Sequence, residues 1–344
     1  MKSFVKVDYE NFAKKISDRI KVYELTFGKI LPHYKCFFID YSGDLDEYNI
    51  YGALHKASAV PGPKIIVFVE EDYLLYHRDL EDSLRPFQQF AECDTWTKEC
   101  FVVTNNKLVY ELVNQKKICN IIYLPALYDL LAYKNTDSSF ENVFNYPAKK
   151  YTSFAYSNDR YKFRKKVLDF CLSLDETKFG ALAFNSKNLL DNGSQNFLQF
   201  NDAPHSDYHI DRDVYKHDVF GMALESIGVS YASAILSEKV YKFYAHAKPV
   251  IVLSKGQNAR QAIIDFGFDP CDWLIDWSFD QCIDFNTKHK LFLKEIERLC
   301  SIPIDDLNHC CIKNIHSIKH NFYHRLELLD NYSTQVKNFA NKLV

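Results

Sequence analysis

The sequence predicts an α/β chain of two domains, on three observations. Short, continuously apolar runs rich in β-branched and aromatic residues recur along it, segments with helical spacing separate them, and a polar, aperiodic stretch interrupts the alternation at residues 133–150. A continuous apolar run marks a strand covered on both faces, as in a parallel sheet between helices. At about 100–200 residues per domain, the 344 residues suffice for two such units.

In the first half the apolar runs stand at 36–40, 65–69, 101–104 and 120–124. Val109, Leu112 and Val113 have helical spacing before the last of them, so strand, helix and strand alternate as in a Rossmann-like unit. The polar stretch is the linker, and the boundary is set between residues 145 and 146, giving domains 1–145 and 146–344. Beyond it, a strand is predicted at 152–156 and a helix at 160–174, with Phe163, Val167, Leu168 and Cys171 on one face. Further strands are predicted at 179–184 and 249–254. A helix follows at 257–266, with Gly267 where a C-terminal glycine cap belongs. The spacing gives two more long helices, at 286–299 and 316–343.

Composition narrows the class. With 42 basic and 45 acidic side chains the formal net charge is −3, which excludes a global basic footprint for nucleic acid but not a local one. Ten glycines and ten prolines are too few for a collagen-like or low-complexity chain. The ten cysteines form no CxxC pair and sit mostly in apolar runs, the pattern of buried free thiols in a reducing compartment. The first residues are charged too early for a secretory signal, and no window is apolar enough to span a membrane. A cytoplasmic chain is expected.

The chemistry concentrates after residue 218. Ser237-Glu238-Lys239 follow an apolar run at the start of a helical segment, where Ser is a good N-cap. Unpaired N–H groups and the positive end of a helix dipole bind anions such as a diphosphate, and Lys239 adds a full charge. Glu238 beside it is suited to accept hydrogen bonds from sugar hydroxyls. The same three residues also describe a plain capped helix with a surface Glu and Lys.

Phe220, Glu225, Ser237-Glu238-Lys239, Phe243, Pro249 and Gly256 stand in that order, followed by Phe266-Gly267-Phe268, Asp276-Trp277-Ser278-Phe279-Asp280 and Lys319-His320-Asn321-Phe322. This succession resembles the conserved block of α-1,3-fucosyltransferases and related phage and viral glycosyltransferases. Upstream, Ser153-Phe154-Ala155-Tyr156-Ser157-Asn158 with Arg160 and Arg164 resembles the strand and Arg-bearing helix that open their donor domain. The chain departs from the block where Glu225-Ser226 replaces a Glu-Asn pair and where Ala247 or Lys248 replaces a glycine. The match therefore points to a nucleotide-sugar enzyme rather than to a particular sugar.

The resemblance implies a GT-B fold of two Rossmann-like domains. The N-terminal domain would be on the acceptor side, and the C-terminal one would hold a UDP- or GDP-sugar through Arg160, Arg164, Glu225, Ser237, Glu238, Lys239 and Gly256. That donor is a substrate, and no cofactor is implied. The enzymes it resembles place a catalytic base after an N-domain strand. Glu70 and Glu71, which follow the run 65–69, take that position and would deprotonate the acceptor hydroxyl with inversion at the sugar. The acceptor is a glycan or a hydroxymethylated DNA base of a phage or virus. Lys149, Lys150, Arg160, Lys162, Arg164, Lys165 and Lys166 offer either a phosphate-binding patch or a solvated helix face. A non-catalytic nucleotide or nucleic-acid binding module is the alternative. No metal is assigned: Asp44-Leu45-Asp46 and Asp211-Arg212-Asp213 follow no clear strand. Cys310 and Cys311 are adjacent rather than spaced, and the face of His316, His320 and His324 is expected to pack against the body of the protein.

Overall fold

Each apolar run read as a strand is a strand in the computed structural model, which describes residues 33–41, 60–70, 80–92, 96–104, 107–123, 139–158, 162–174, 179–185, 218–225, 236, 238–254 and 258–343. The chain forms two compact units, residues 1–132 with 328–344, and residues 133–327. The break falls at the first residue of the polar stretch rather than between 145 and 146. The reason is that this stretch is anchored to the second unit. Tyr146 Oη donates to Val219 O at 2.7 Å, Ala148 N donates to Asn308 Oδ1 at 2.8 Å, and the Phe140 ring meets Phe322 edge-on. The end of the last helix, placed with the second domain from the sequence, groups with the first unit.

The first unit is built on strands β1 (Lys35–Tyr41), β2 (Lys64–Glu70), β3 (Phe101–Thr104) and β4 (Ile121–Tyr123), all parallel and adjacent in chain order. Ile65, Ile66, Phe101, Val102 and Val103 are fully buried, which is why these runs are apolar at every position. Helix α1 (Leu80–Ala91) buries Leu84 and Phe87 three residues apart, and α2 (Lys107–Gln115) buries Val109 and Val113 four apart, the two spacings that share a helix face. Phe101 is the centre of this core, contacted edge-on by Tyr34 and by Phe339.

The second unit holds β5 (Lys150–Asn158), β6 (Phe179–Asn185), β7 (Asp218–Leu224) and β8 (Val250–Leu253), parallel and in the order β6-β5-β7-β8. The strand not anticipated is β7, although every residue in it is buried. Its apolar run is interrupted by Gly221, and the glycine is required by packing: a Cβ there would lie inside the Phe243 ring. Helices α3 (Phe140–Val143), α4 (Lys162–Leu174), α5 (Glu238–Ala245), α6 (Ala259–Asp265), α7 (Phe285–Ser301), α8 (Ile304–Lys313) and α9 (Ile315–Leu343) complete the described elements. Three helices, α1, α3 and α8, were not read from the sequence.

Gly267 closes α6 at φ +84°, the left-handed conformation expected of a cap glycine. The histidines of α9 finish the job. His324 Nε2 lies 2.7 Å from Phe266 O and His320 Nε2 2.8 Å from Gly267 O, so each ring donates a proton to a carbonyl at the end of α6. Of the three histidines expected to pack on the body of the protein, His324 is half-buried, whereas His316 and His320 are exposed. No group of three or more metal-ligating side chains occurs among the described residues, and no described helix is long and apolar enough to cross a membrane.

The cysteines among the described residues are free, and Cys100, Cys171, Cys271, Cys300 and Cys311 are buried. Burial pushes the thiols of Cys171 and Cys271 up and that of Cys311 to about 12. Lys248 goes the other way. Burial lowers its ammonium to about 8, against the pull of Asp218 and Cys311, while Nζ donates to Asp218 O at 2.6 Å and stands 4.4 Å over the Tyr146 ring.

Two outcomes are expected. Gly221→Ala forces a methyl into the Phe243 ring and lowers the unfolding free energy by about 2–3 kcal/mol, read from urea midpoints. The pH dependence follows from linkage. Cys171, Cys271 and Cys311 keep their protons in the folded state, so their contribution is complete below the unfolded thiol value near about 8.5 and is lost as pH rises beyond it. Lys248, lowered on folding, adds stability between about 8 and its unfolded value of about 10.4. Three thiols outweigh one amine, so stability in reducing buffer falls by more than about 1 kcal/mol per pH unit above pH ~9.

Candidate functional site

In a parallel sheet each strand ends at the same edge, and a crossover helix must run back, so its N-terminus lies at that edge. The second unit adds a reversal. From β5 the chain moves to β6 on one side, then returns to place β7 on the other side of β5. The connections leave the carboxyl ends of β5 and β7 in opposite directions, and open α/β sheets bind their ligands in the crevice so formed.

Three of the side chains singled out in the sequence are placed at this edge. Arg164 is the third residue of α4, the helix after β5. Glu225 directly follows β7, its backbone N–H donating to Leu253 O of β8 at 2.9 Å. Lys239 is the second residue of α5, the helix between β7 and β8, which packs on β5, β7 and β8. Their exposures are 1%, 1% and 5%. Buried charges are costly, and each of these three has an interaction partner within the fold.

Lys242 and His246 extend the basic stripe of α5, both buried, with His246 Nδ1 2.7 Å from Lys242 O. They were not singled out, although positions 239, 242 and 246 are spaced as one helix face and the signal was legible in the sequence. Glu70 closes β2, where it pairs in register with Tyr41; its side chain lies outside the described residues. Glu238 opens α5, and its side chain lies outside them too. Glu71, Arg160, Ser237, Gly256 and both Asp-x-Asp motifs fall outside the described residues.

The helix after β8 has a different N-terminus. Arg260 N donates to Asp280 Oδ2 at 2.9 Å and Gln261 N to Asn258 Oδ1 at 3.4 Å, so the first donors of α6 are taken by the protein itself. Asp280 is in turn paired with Lys288 at 2.6 Å, both side chains 1% exposed. The Asp276 to Asp280 motif thus has a structural task here. Asp276 Oδ1 accepts from Ser278 N to start a 3₁₀ turn (Trp277–Gln281), Trp277 and Phe279 bury their rings, and Asp280 joins α6 to α7.

Comparison with protein-family models, with curated proteins and with solved structures finds no match to this chain.

Removing one partner of the buried Asp280–Lys288 pair strands the other charge. Asp280→Ala is expected to cost about 3–5 kcal/mol in equilibrium unfolding, whereas the double variant Asp280→Leu with Lys288→Met recovers most of that loss.

Proposed function

We propose that the chain is a nucleotide-sugar-dependent glycosyltransferase that moves a sugar from a nucleoside diphosphate to a hydroxyl acceptor, with the second unit as the donor half of a GT-B enzyme. The observation that carries this reading is the set of buried charges, Arg164, Glu225 and Lys239, at the carboxyl edge around the β5/β7 reversal. These three are among the seven residues that the motif resemblance assigns to the donor.

Sugar transfer requires a diphosphate to leave with its negative charge. Preorganised cations stabilise that charge most effectively where water is excluded. Arg164 offers a planar fork suited to two phosphate oxygens, and Lys239 a point charge on the first turn of a helix whose dipole favours an anion. Glu225 has the opposite task, accepting hydrogen bonds from ribose or sugar hydroxyls. The acceptor hydroxyl must lose a proton in the same step, and the resemblance assigns this to Glu70 or Glu71. The N-terminus of α6 is capped by Asn258 and Asp280 and is not the phosphate site in this reading.

The test is a screen of UDP, GDP and their sugars by calorimetry and thermal shift. One nucleoside diphosphate is expected to bind in the micromolar range, and Lys239→Met to weaken it about 10- to 100-fold with little change in melting midpoint. No binding to any diphosphate, or unchanged affinity in both Lys239→Met and Arg164→Gln, would sink this reading. Transfer assays then separate the acceptors. A hydroxymethylated duplex gives binding that falls steeply with salt, and a neutral glycan does not. Binding without transfer to either acceptor would favour the non-catalytic module.

A further inference from the structure

After α6 the chain folds residues 269–281 into a loop pinned along its length. Asp269 N donates to Asn321 Oδ1 at 2.7 Å, and Asp276 N to Glu295 Oε1 at 2.9 Å. The two indoles are fixed by their ring N–H groups, Trp273 to Ser317 Oγ at 3.1 Å and Trp277 to Pro270 O at 3.0 Å. Over this loop lies an open groove of about 650 Å³, lined among others by Arg260, Asp272, Trp273, Asp276, Trp277 and Arg298. Its size is within the range of small-molecule sites, about 300–1,000 Å³. None of Arg164, Glu225 and Lys239 lines it.

The lining chemistry selects a ligand class. Each arginine is already held by a carboxylate in a two-pronged contact: Arg260 Nε and NH2 reach Asp272 at 2.8 and 2.5 Å, and Arg298 Nε and NH2 reach Glu295 at 2.7 and 2.6 Å. With Glu295 counted beside Asp272 and Asp276, three carboxylates stand against the two arginines, so the groove has no excess positive charge to attract a phosphate or a nucleic acid. A purely apolar ligand is disfavoured for the opposite reason, since it would strip water from four charged side chains without replacing their hydrogen bonds. What remains is a neutral molecule whose groups both donate and accept and which carries an apolar face. Sugar hydroxyls do both, and the C–H face of a pyranose complements an indole. The Arg260–Asp272 pair is 37% and 50% exposed, so its planar fork is within reach of such hydroxyls and needs no reordering to meet them.

We infer that this groove binds a neutral saccharide of one or two sugar units. The inference goes beyond the glycosyltransferase reading and does not depend on it, because the donor residues contribute nothing to the groove.

The experiment uses the full chain with Trp96→Phe, so that tryptophan emission comes from the two groove indoles alone. Glucose, N-acetylglucosamine, maltose, cellobiose and lactose are titrated, with saturation-transfer NMR as the second readout. At least one sugar is expected to change the emission with a Kd of about 0.1–5 mM, independent of salt between about 50 and 500 mM. Ser278→Tyr places a ring in the groove from an exposed position and should weaken binding at least about tenfold at an unchanged melting midpoint. Gln281→Trp does the same from a second exposed lining position should the first variant not fold. Lys239→Met leaves sugar binding as it was, which separates failure here from failure of the donor site. No response to any of the five sugars up to about 50 mM, or equal affinity in the filled variant, overturns the inference. So does a response confined to charged, salt-sensitive ligands.

Discussion

β5 is hydrogen-bonded along both edges, to β6 on one side and to β7 on the other, and the arrangement of the second unit follows from that constraint. A strand that is central and first in its sheet forces the chain to reverse direction once. The reversal divides the connections at the carboxyl edge and brings the start of α4, the residue after β7 and the start of α5 to that edge. Pairing is held in place from the β7 side by close packing. Gly221 sits in register with Ser153 of β5 and with Val250 of β8, and its missing Cβ lets Phe243 of α5 approach the sheet directly. The helix carrying Lys239 is therefore positioned by the same contact that sets the spacing of sheet and helix.

Much of this was legible from residue patterns because parallel strands buried on both faces are written as continuous apolar runs. Residues 101–104 are predicted and observed identically, and 36–40 and 65–69 each extend by a residue or two. The misses have physical causes. β7 is apolar but contains a glycine, which local rules read as a breaker, and only the position of Phe243 explains it. The unit boundary differs because residues 133–145, polar enough to read as linker, group with the second unit, where Phe140 meets Phe322 edge-on and Glu141 pairs with Lys319. No local pattern reports partners so distant in the chain.

The site was legible in a different way. Spacing placed Arg164 in the helix 160–174 and Lys239 at a helix start, and the resemblance alone singled out Glu225, but neither could say that all three are buried. Burial turns an ordinary charge into a costly one, and it depends on which elements cover the residue. The Asp276 to Asp280 segment shows the converse. Its acidic and aromatic residues looked like part of a ligand-binding block, and in the fold they close the N-terminus of α6 and neutralise Lys288.

Two buried lysines of the second unit stand at opposite edges of its sheet. Lys248 immediately precedes the Pro-led strand β8, at the amino edge of the sheet, where Asp218 opens β7. There its ammonium is met by the Asp218 carbonyl and the Tyr146 ring, and burial still lowers its proton affinity. Such a group contributes to holding the strand ends and has no route to a ligand at the opposite edge. Lys239 lies at the carboxyl edge, one helix away, with Lys242 on the same helix and His246 just past its end. Lys239, on the first turn of α5, is the lysine that the proposed donor reading assigns to the diphosphate, whereas Lys248 is held by groups of the fold at the opposite edge.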